Sequence, residues 1–129
     1  MNIPIGNSKE DRQKRKELIS QNTGKLKGQK VFCPALNVDV LISGTGINEM
    51  IEHSSKSYYS TLAALDLKSQ IKIAKFYRYH IPKDNKQIRR DFVFMIELHG
   101  KLENKVTKIM IGVKLTAKYK HYCITAMDE

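Results

Sequence analysis

The chain reads as an α+β domain in which N-terminal helices pack on one face of a C-terminal antiparallel β-sheet. Its 129 residues, 41% hydrophobic and 28% charged, suit a single globular core. Helical spacings and capping signals lie in the first part of the chain, and after Phe76 the apolar period changes to two. The later strands each carry one apolar face, which needs a cover that the preceding helices can supply. The opposite face of the sheet is then free to bind something.

Residues 1–28 are expected to be a basic N-terminal helix or linker, with 29–129 the α+β domain itself. From Ser8 to Asn22 the one sizeable apolar pair is Leu18 and Ile19, and Thr23-Gly24 stops the helix. Such a segment reads as a solvated linker helix or as a basic arm on phosphates. Val31 to Ser43 alternates through Val31, Cys33, Val38, Val40 and Ile42 around a turn at Asn37, the pattern of a hairpin. Thr45 can cap a helix reaching Ser54, with Glu49 complementing its dipole and Ile47, Met50 and Ile51 as the buried stripe.

Between Ser57 and Lys75 no single stripe fits. Tyr58, Leu62 and Leu65 share one face, whereas Leu67, Ile71 and Ala74 fall nearly opposite, so the helix is expected to break at Asp66. Tyr77, Tyr79 and Ile81 then alternate as a strand before Pro82 and the basic loop Lys83 to Arg90. In the next strand Phe92, Phe94, Ile96 and Leu98 point one way and Val93, Met95, Glu97 and His99 the other. Gly100 to Asn104 turns the chain. Ile109, Ile111, Val113 and Leu115 then face inward against outward Lys108, Met110, Gly112, Lys114 and Thr116, and a last strand runs from His121 to Ala126.

Lys plus Arg number 23 against 13 for Asp plus Glu. Residues 1–28 hold seven basic and three acidic side chains, leaving sixteen and ten for the rest, so the domain is basic in its own right. That field favours capture of polyanions: nucleic acid, an anionic membrane surface or an acidic protein. No run approaches the roughly 18 apolar residues of a membrane span, and the N-terminus lacks the apolar segment of a secretory signal. A soluble polypeptide with no membrane partner is expected. Cys33 and Cys123 have no CxxC or Cys/His ligand spacing and read as reduced structural thiols. No P-loop, dinucleotide fingerprint, HExxH or GxSxG motif is present, which weakens nucleotide-dependent, zinc-protease and α/β-hydrolase readings.

Metal-free RNA cleavage needs a base for the ribose 2′-hydroxyl, donors for the charge developing on phosphorus, and an acid for the leaving oxygen. His53 stands at a helix C-terminus off the apolar stripe, where an imidazole either complements the dipole or transfers protons. Lys114 and Thr116 lie on the open face of a central strand, with Thr125 of the same parity and Glu97 and His99 as further candidates. The alternative for Lys114 is a solvated sheet position. Lys83, Lys86, Arg89 and Arg90 read as substrate-holding charges or as solvated loop residues.

From Lys30 to Ala126, about three quarters of the chain, the sequence resembles the phage-associated nucleases of the barnase, EndoU, colicin and RelE-like (BECR) fold, found in mobile elements and toxin modules. The resemblance is carried by three patterns. They are Ser43-Gly44-Thr45-Gly46-Ile47 leading to His53-Ser54-Ser55-Lys56, then Leu62-Ala63-Ala64-Leu65, then Val113-Lys114-Leu115-Thr116 followed by His121-Tyr122. It implies a metal-independent endoribonuclease without cofactor, with His53, Lys114 and Thr116 catalytic and Ser54, Lys56 and Thr125 holding the phosphate. Where the family often has a basic residue and two aromatics, this chain has Lys120-His121-Tyr122-Cys123, which leaves Tyr122 as a rival to Thr125. A toxin or effector role would further imply action on RNA in the cytoplasm, delivery within a longer secreted or phage-borne protein, and an acidic antitoxin or immunity partner. Two other readings stay open: a non-catalytic nucleic-acid-binding accessory protein of a phage or conjugative element, and a protein-interaction module whose basic face meets an acidic partner.

Overall fold

A computed structural model of the chain describes residues 2–81, 92–115 and 120–128, with Ile124 the one side chain described on the final strand. Helix α1 spans Lys9–Thr23, capped by Ser8, whose hydroxyl accepts from the Asp11 amide at 3.0 Å. This helix is not the solvated linker that its composition suggests. Ile19 is fully buried in the main core, and so is Arg15. Arg15 Nε donates to the Ser55 carbonyl at 2.8 Å, and the guanidinium also donates to the carbonyls of Pro4, Gly6 and Lys56. A buried charge is tolerated only when its donors are satisfied, and four carbonyls do that here. Because α1 docks through one Ile and one Arg, apolar periodicity could not reveal it.

Strands β1 (Lys30–Cys33) and β2 (Val38–Leu41) form the expected antiparallel hairpin, turning through Asn37 at φ 54°, a conformation that Asn tolerates well. Helix α2 (Gly44–Ser54) is capped by Ser43, not Thr45. The chain leaves β2 extended, so Ser43 is the residue that keeps strand-like backbone while its hydroxyl reaches the Gly46 amide at 2.9 Å. Gly46 itself lies against the final strand of the chain so closely that a Cβ there would come within 1.9 Å of the Ile124 carbonyl oxygen.

The break at Asp66 is present, between α3 (Tyr58–Leu65) and α4 (Leu67–Ile73). The buried residues of α3 are Ser60, Thr61, Ala63 and Ala64, while Tyr58, Leu62 and Leu65 are only partly covered. Close approach favours small side chains, and the hydroxyls of Ser60 and Thr61 both donate to the Ser54 carbonyl at the end of α2. In α4, Leu67 and Ile71 are buried as expected, together with Gln70, which accepts from the Thr107 hydroxyl and donates to the Lys101 carbonyl.

The remaining strands are β3 (Lys75–His80), β4 (Phe92–Leu102), β5 (Lys105–Leu115) and β6 (Lys120–Asp128). They join the hairpin in one six-stranded sheet of order β1-β2-β6-β5-β4-β3. The pairings from β6 to β3 are antiparallel, and the hairpin is attached by a parallel pairing at Leu41 and Cys123. The expected turn narrows to Glu103-Asn104, at φ 49° and 68°, which is the two-residue geometry that matches strand twist. Ile96, Leu98, Ile109, Ile111, Val113 and Ile124 face the helices with Ile19, Ile47, Met50, Leu67 and Ile71. Cys33 joins them as a free thiol whose pKa burial pushes up.

Two of the three register shifts in the sheet change which described side chains meet. One lies between Phe76 and Arg78, so Tyr77 and Tyr79 do not share a face: Tyr77 stacks on His99, and Tyr79 meets Phe76 and Phe94. The other lies between Phe92 and Phe94. It removes Phe92 from the expected row with Phe94, Ile96 and Leu98 and packs it with Met95 and Met110 on the opposite side. A bulge inserts an unpaired residue, so alternation on either side of it falls out of phase.

Candidate functional site on the open face of the sheet

Opposite the helices, β3, β4 and β5 bring together the residues with chemical capability. Arg78 pairs with Glu97, His80 with Met95, and His99 with Lys108 across neighbouring strands. Period two then places Arg78 and His80, and Glu97 and His99, on one side of their strands.

Glu97 is the centre. Its side chain is 5% exposed, and its carboxylate accepts from His80 Nε2 at 2.6 Å, His99 Nε2 at 2.5 Å and Arg78 Nε at 3.2 Å. Arg78 Nε also lies 3.2 Å from His80 Nε2. Since the shorter contact to the carboxylate makes Nε2 a donor, Arg78 donates to Glu97 and not to His80. Burial alone would raise the Glu97 pKa, but hydrogen bonds from His80, His99 and Arg78, with the Arg78 charge, lower it to about 2. The site therefore contains a fixed carboxylate anion.

With Nε2 of both rings committed to Glu97, each Nδ1 is left to accept or release a proton, and among the described residues neither has a hydrogen-bond partner. Tyr77 stacks on His99 with ring centroids 4.0 Å apart and 17° between planes, fixing the imidazole from one side. Arg78 reaches over the same Tyr77 ring at 5.2 Å. Its side chain is 61% exposed, so the guanidinium nitrogens beyond Nε are open to an anion.

Beside this cluster Phe92 and Met95 are buried, with Met110 partly so, as an apolar floor. Gly112 is necessary to that floor, because a Cβ there would approach the Phe92 ring to 2.5 Å. Lys114 Nζ lies over the same ring, 5.3 Å from its centroid. It pairs with Phe92, four residues along β5 from the partner of Glu97, which at strand spacing is roughly 13 Å away. Lys108, directly across from His99 and exposed, is the nearer cation.

His53 and Lys114 are not brought together. Helix α2 packs through Ile47 and Met50 onto the covered face of the sheet, whereas Lys114 is on the open one. His53 Nε2 is 3.0 Å from Glu49 Oε2, one turn away, as a helix-surface pair. Ser54 is fully buried beneath Ser60 and Thr61, out of a substrate's reach, and the Lys56 carbonyl serves Arg15 while its side chain is exposed. Thr125 falls where the β5–β6 register shifts, and its side chain, like that of Tyr122, lies outside the described residues. Thr116, Lys83, Arg89 and Arg90 lie outside them as well.

Sequence reasoning reached Glu97 and His99 but passed over Tyr77, Arg78 and His80. A signal existed in Arg78-x-His80 followed by Glu97-x-His99, two polar pairs at strand spacing. Their convergence could not be read without the register. Among the described residues no group of three or more His, Cys, Asp or Glu side chains is placed to hold a metal ion, and no helix is long and apolar enough to cross a membrane. Compared with protein-family models, curated proteins and solved structures, the chain has no match.

Proposed function

We propose that the chain is an endoribonuclease that cleaves RNA by general acid–base catalysis without a metal, at the Glu97, His80, His99 and Arg78 cluster. The observation that carries the reading is a buried carboxylate shared by two imidazoles and a guanidinium on the open face of a basic domain. A carboxyl titrating near 2 is too weak a base to take a hydroxyl proton efficiently, so proton transfer falls to the imidazoles.

In the step proposed, Nδ1 of one neutral imidazole takes the 2′-hydroxyl proton as O2′ attacks phosphorus. The bond from phosphorus to O5′ breaks, the other imidazole, entering protonated, gives its proton to O5′, and a 2′,3′-cyclic phosphate remains. Glu97 orients both rings and stabilises whichever is charged, while Arg78 and Lys108 face the charge developing on phosphorus. Lys114, farther along, suits a neighbouring phosphate. His53 has no part in this step. In a cell that makes such an enzyme an acidic partner covering the basic face would restrain it, and a toxin or effector role depends on that partner.

The test is cleavage of bulk RNA by the purified chain in EDTA, with the ends of the products identified. Cyclic phosphate ends are expected, His80→Ala and His99→Ala should each slow cleavage by about 100-fold or more, and His53→Ala should act like the parent. A double His80→Ala/His99→Ala variant that cuts at the parent rate would remove the reading. Salt-sensitive RNA binding with no cleavage would leave the non-catalytic accessory role.

A further inference from the structure

Strand β3 ends the sheet and carries more aromatic surface than the cluster beside it uses. Phe76 and Tyr79 are 44% and 64% exposed, although they turn toward the side where the helices lie. Their ring centroids are 4.8 Å apart, and Tyr79 meets the edge of Phe94 at 5.6 Å, so three rings form a step at the rim of the sheet. A wide exposed ring on an edge strand contributes little to a core and leaves a π-face open to solvent.

Along the chain leading into and through β3 the charge has one sign. From Leu67 to Lys83 the chain contains no acidic residue, and Lys68, Lys72, Lys75 and Arg78 are exposed along it. Aromatic faces interleaved with cations are what unpaired nucleotides require, since bases stack on rings while phosphates meet cations. A duplex keeps its bases stacked on one another and offers these rings nothing. Arg78 and His80 alternate with Tyr79 on the same strand, so a polynucleotide leaving the cluster needs only to round the edge of β3 to reach Phe76 and Tyr79.

We propose that the rim formed by Phe76 and Tyr79 is a stacking platform for unpaired bases, and that the preferred substrate is therefore single-stranded RNA. The proposal builds on the ribonuclease reading but is tested apart from it, with a single-stranded 2′-O-methyl oligonucleotide that cannot form a cyclic phosphate. Tyr79→Leu and Phe76→Leu keep an apolar side chain on an exposed site and remove the ring. Each should weaken single-strand binding by about fivefold or more, and the pair together by about 30-fold, given typical losses for one stacked base. Binding of the corresponding duplex should not change, nor should cleavage of a dinucleotide too short to round the edge. An unchanged single-strand affinity in the double variant, or equal losses for strand and duplex, would overturn the platform. A parent chain that cuts no RNA but loses single-strand affinity in these variants would uphold the platform while removing the ribonuclease.

Discussion

At Glu97 three hydrogen bonds outweigh the cost of burying a carboxylate, and this has a measurable consequence. Its folded pKa, near 2, lies below the ordinary value of 4.5, so the folded state holds the proton less tightly than the unfolded chain does. The stabilisation is fully present above about pH 4.5 and is lost as the pH falls through the folded value. It amounts to at most roughly 3 kcal/mol, less the part screened by solvent around the exposed Arg78. Denaturant midpoints taken at about pH 5 and about pH 3 should fall more for the parent than for Glu97→Gln, which has no carboxylate to protonate. Equal falls would mean that the three donors do not hold the anion as described. The Glu97 and His99 candidates were legible because strand alternation assigns a face, whereas Arg78 and His80 needed the pairing of β3 with β4 to become their neighbours.

Among the elements, α2 shows how a contact overrides propensity. Gly46 is helical, and a Gly to Ala change inside a helix ordinarily stabilises by about 1 kcal/mol. Here the new methyl would meet a backbone oxygen of β6 that cannot swing aside, so the helix must lift from the sheet. Gly46→Ala should lower stability by roughly 1–3 kcal/mol or more. Gly24 is the matched control: its backbone is helical at φ −57° and nothing lies within 4 Å of a Cβ there. Gly24→Ala should raise stability by about 0.4–1 kcal/mol. Thermal or urea melts that move in the same direction for both would contradict the close packing of α2 on β6. Sequence alone placed this helix to within two residues and chose the wrong cap, because either Ser43 or Thr45 has the hydroxyl and only the path out of β2 selects between them.

For the whole molecule, the N-terminal segment is tied in by a polar core. Arg15 binds carbonyls from the segment before α1 and from the turn joining α2 to α3, so one side chain connects three parts of the chain. Arg15→Ala would leave those carbonyls without a donor in a buried place, at roughly 1–3 kcal/mol for each that water cannot reach. Arg15→Ala should therefore cost several kcal/mol and open residues 2–23 to proteolysis, checked by urea melts and limited digestion. A change within about 0.5 kcal/mol would restore the picture of a solvated linker. The same docking hides Arg15 from the basic surplus counted for residues 1–28, while Lys9, Lys14, Lys25 and Lys27 stay exposed and add to the charge that β3 and β5 present.

Sequence by itself determined the order of elements, the hairpin, the break at Asp66, the inward rows of β5 and of β4 past its bulge, and the basic character, since local hydrogen bonding and apolar periodicity act over a few residues. It could not determine the docking of α1, where a buried Arg replaces the apolar stripe that periodicity detects. Nor could it show that His53 and Lys114 stand on opposite sides of the sheet. The site was decided by tertiary structure, because two bulges reset the alternation of β3 and β4 and the pairing of those strands brings residues seventeen or more positions apart onto one carboxylate.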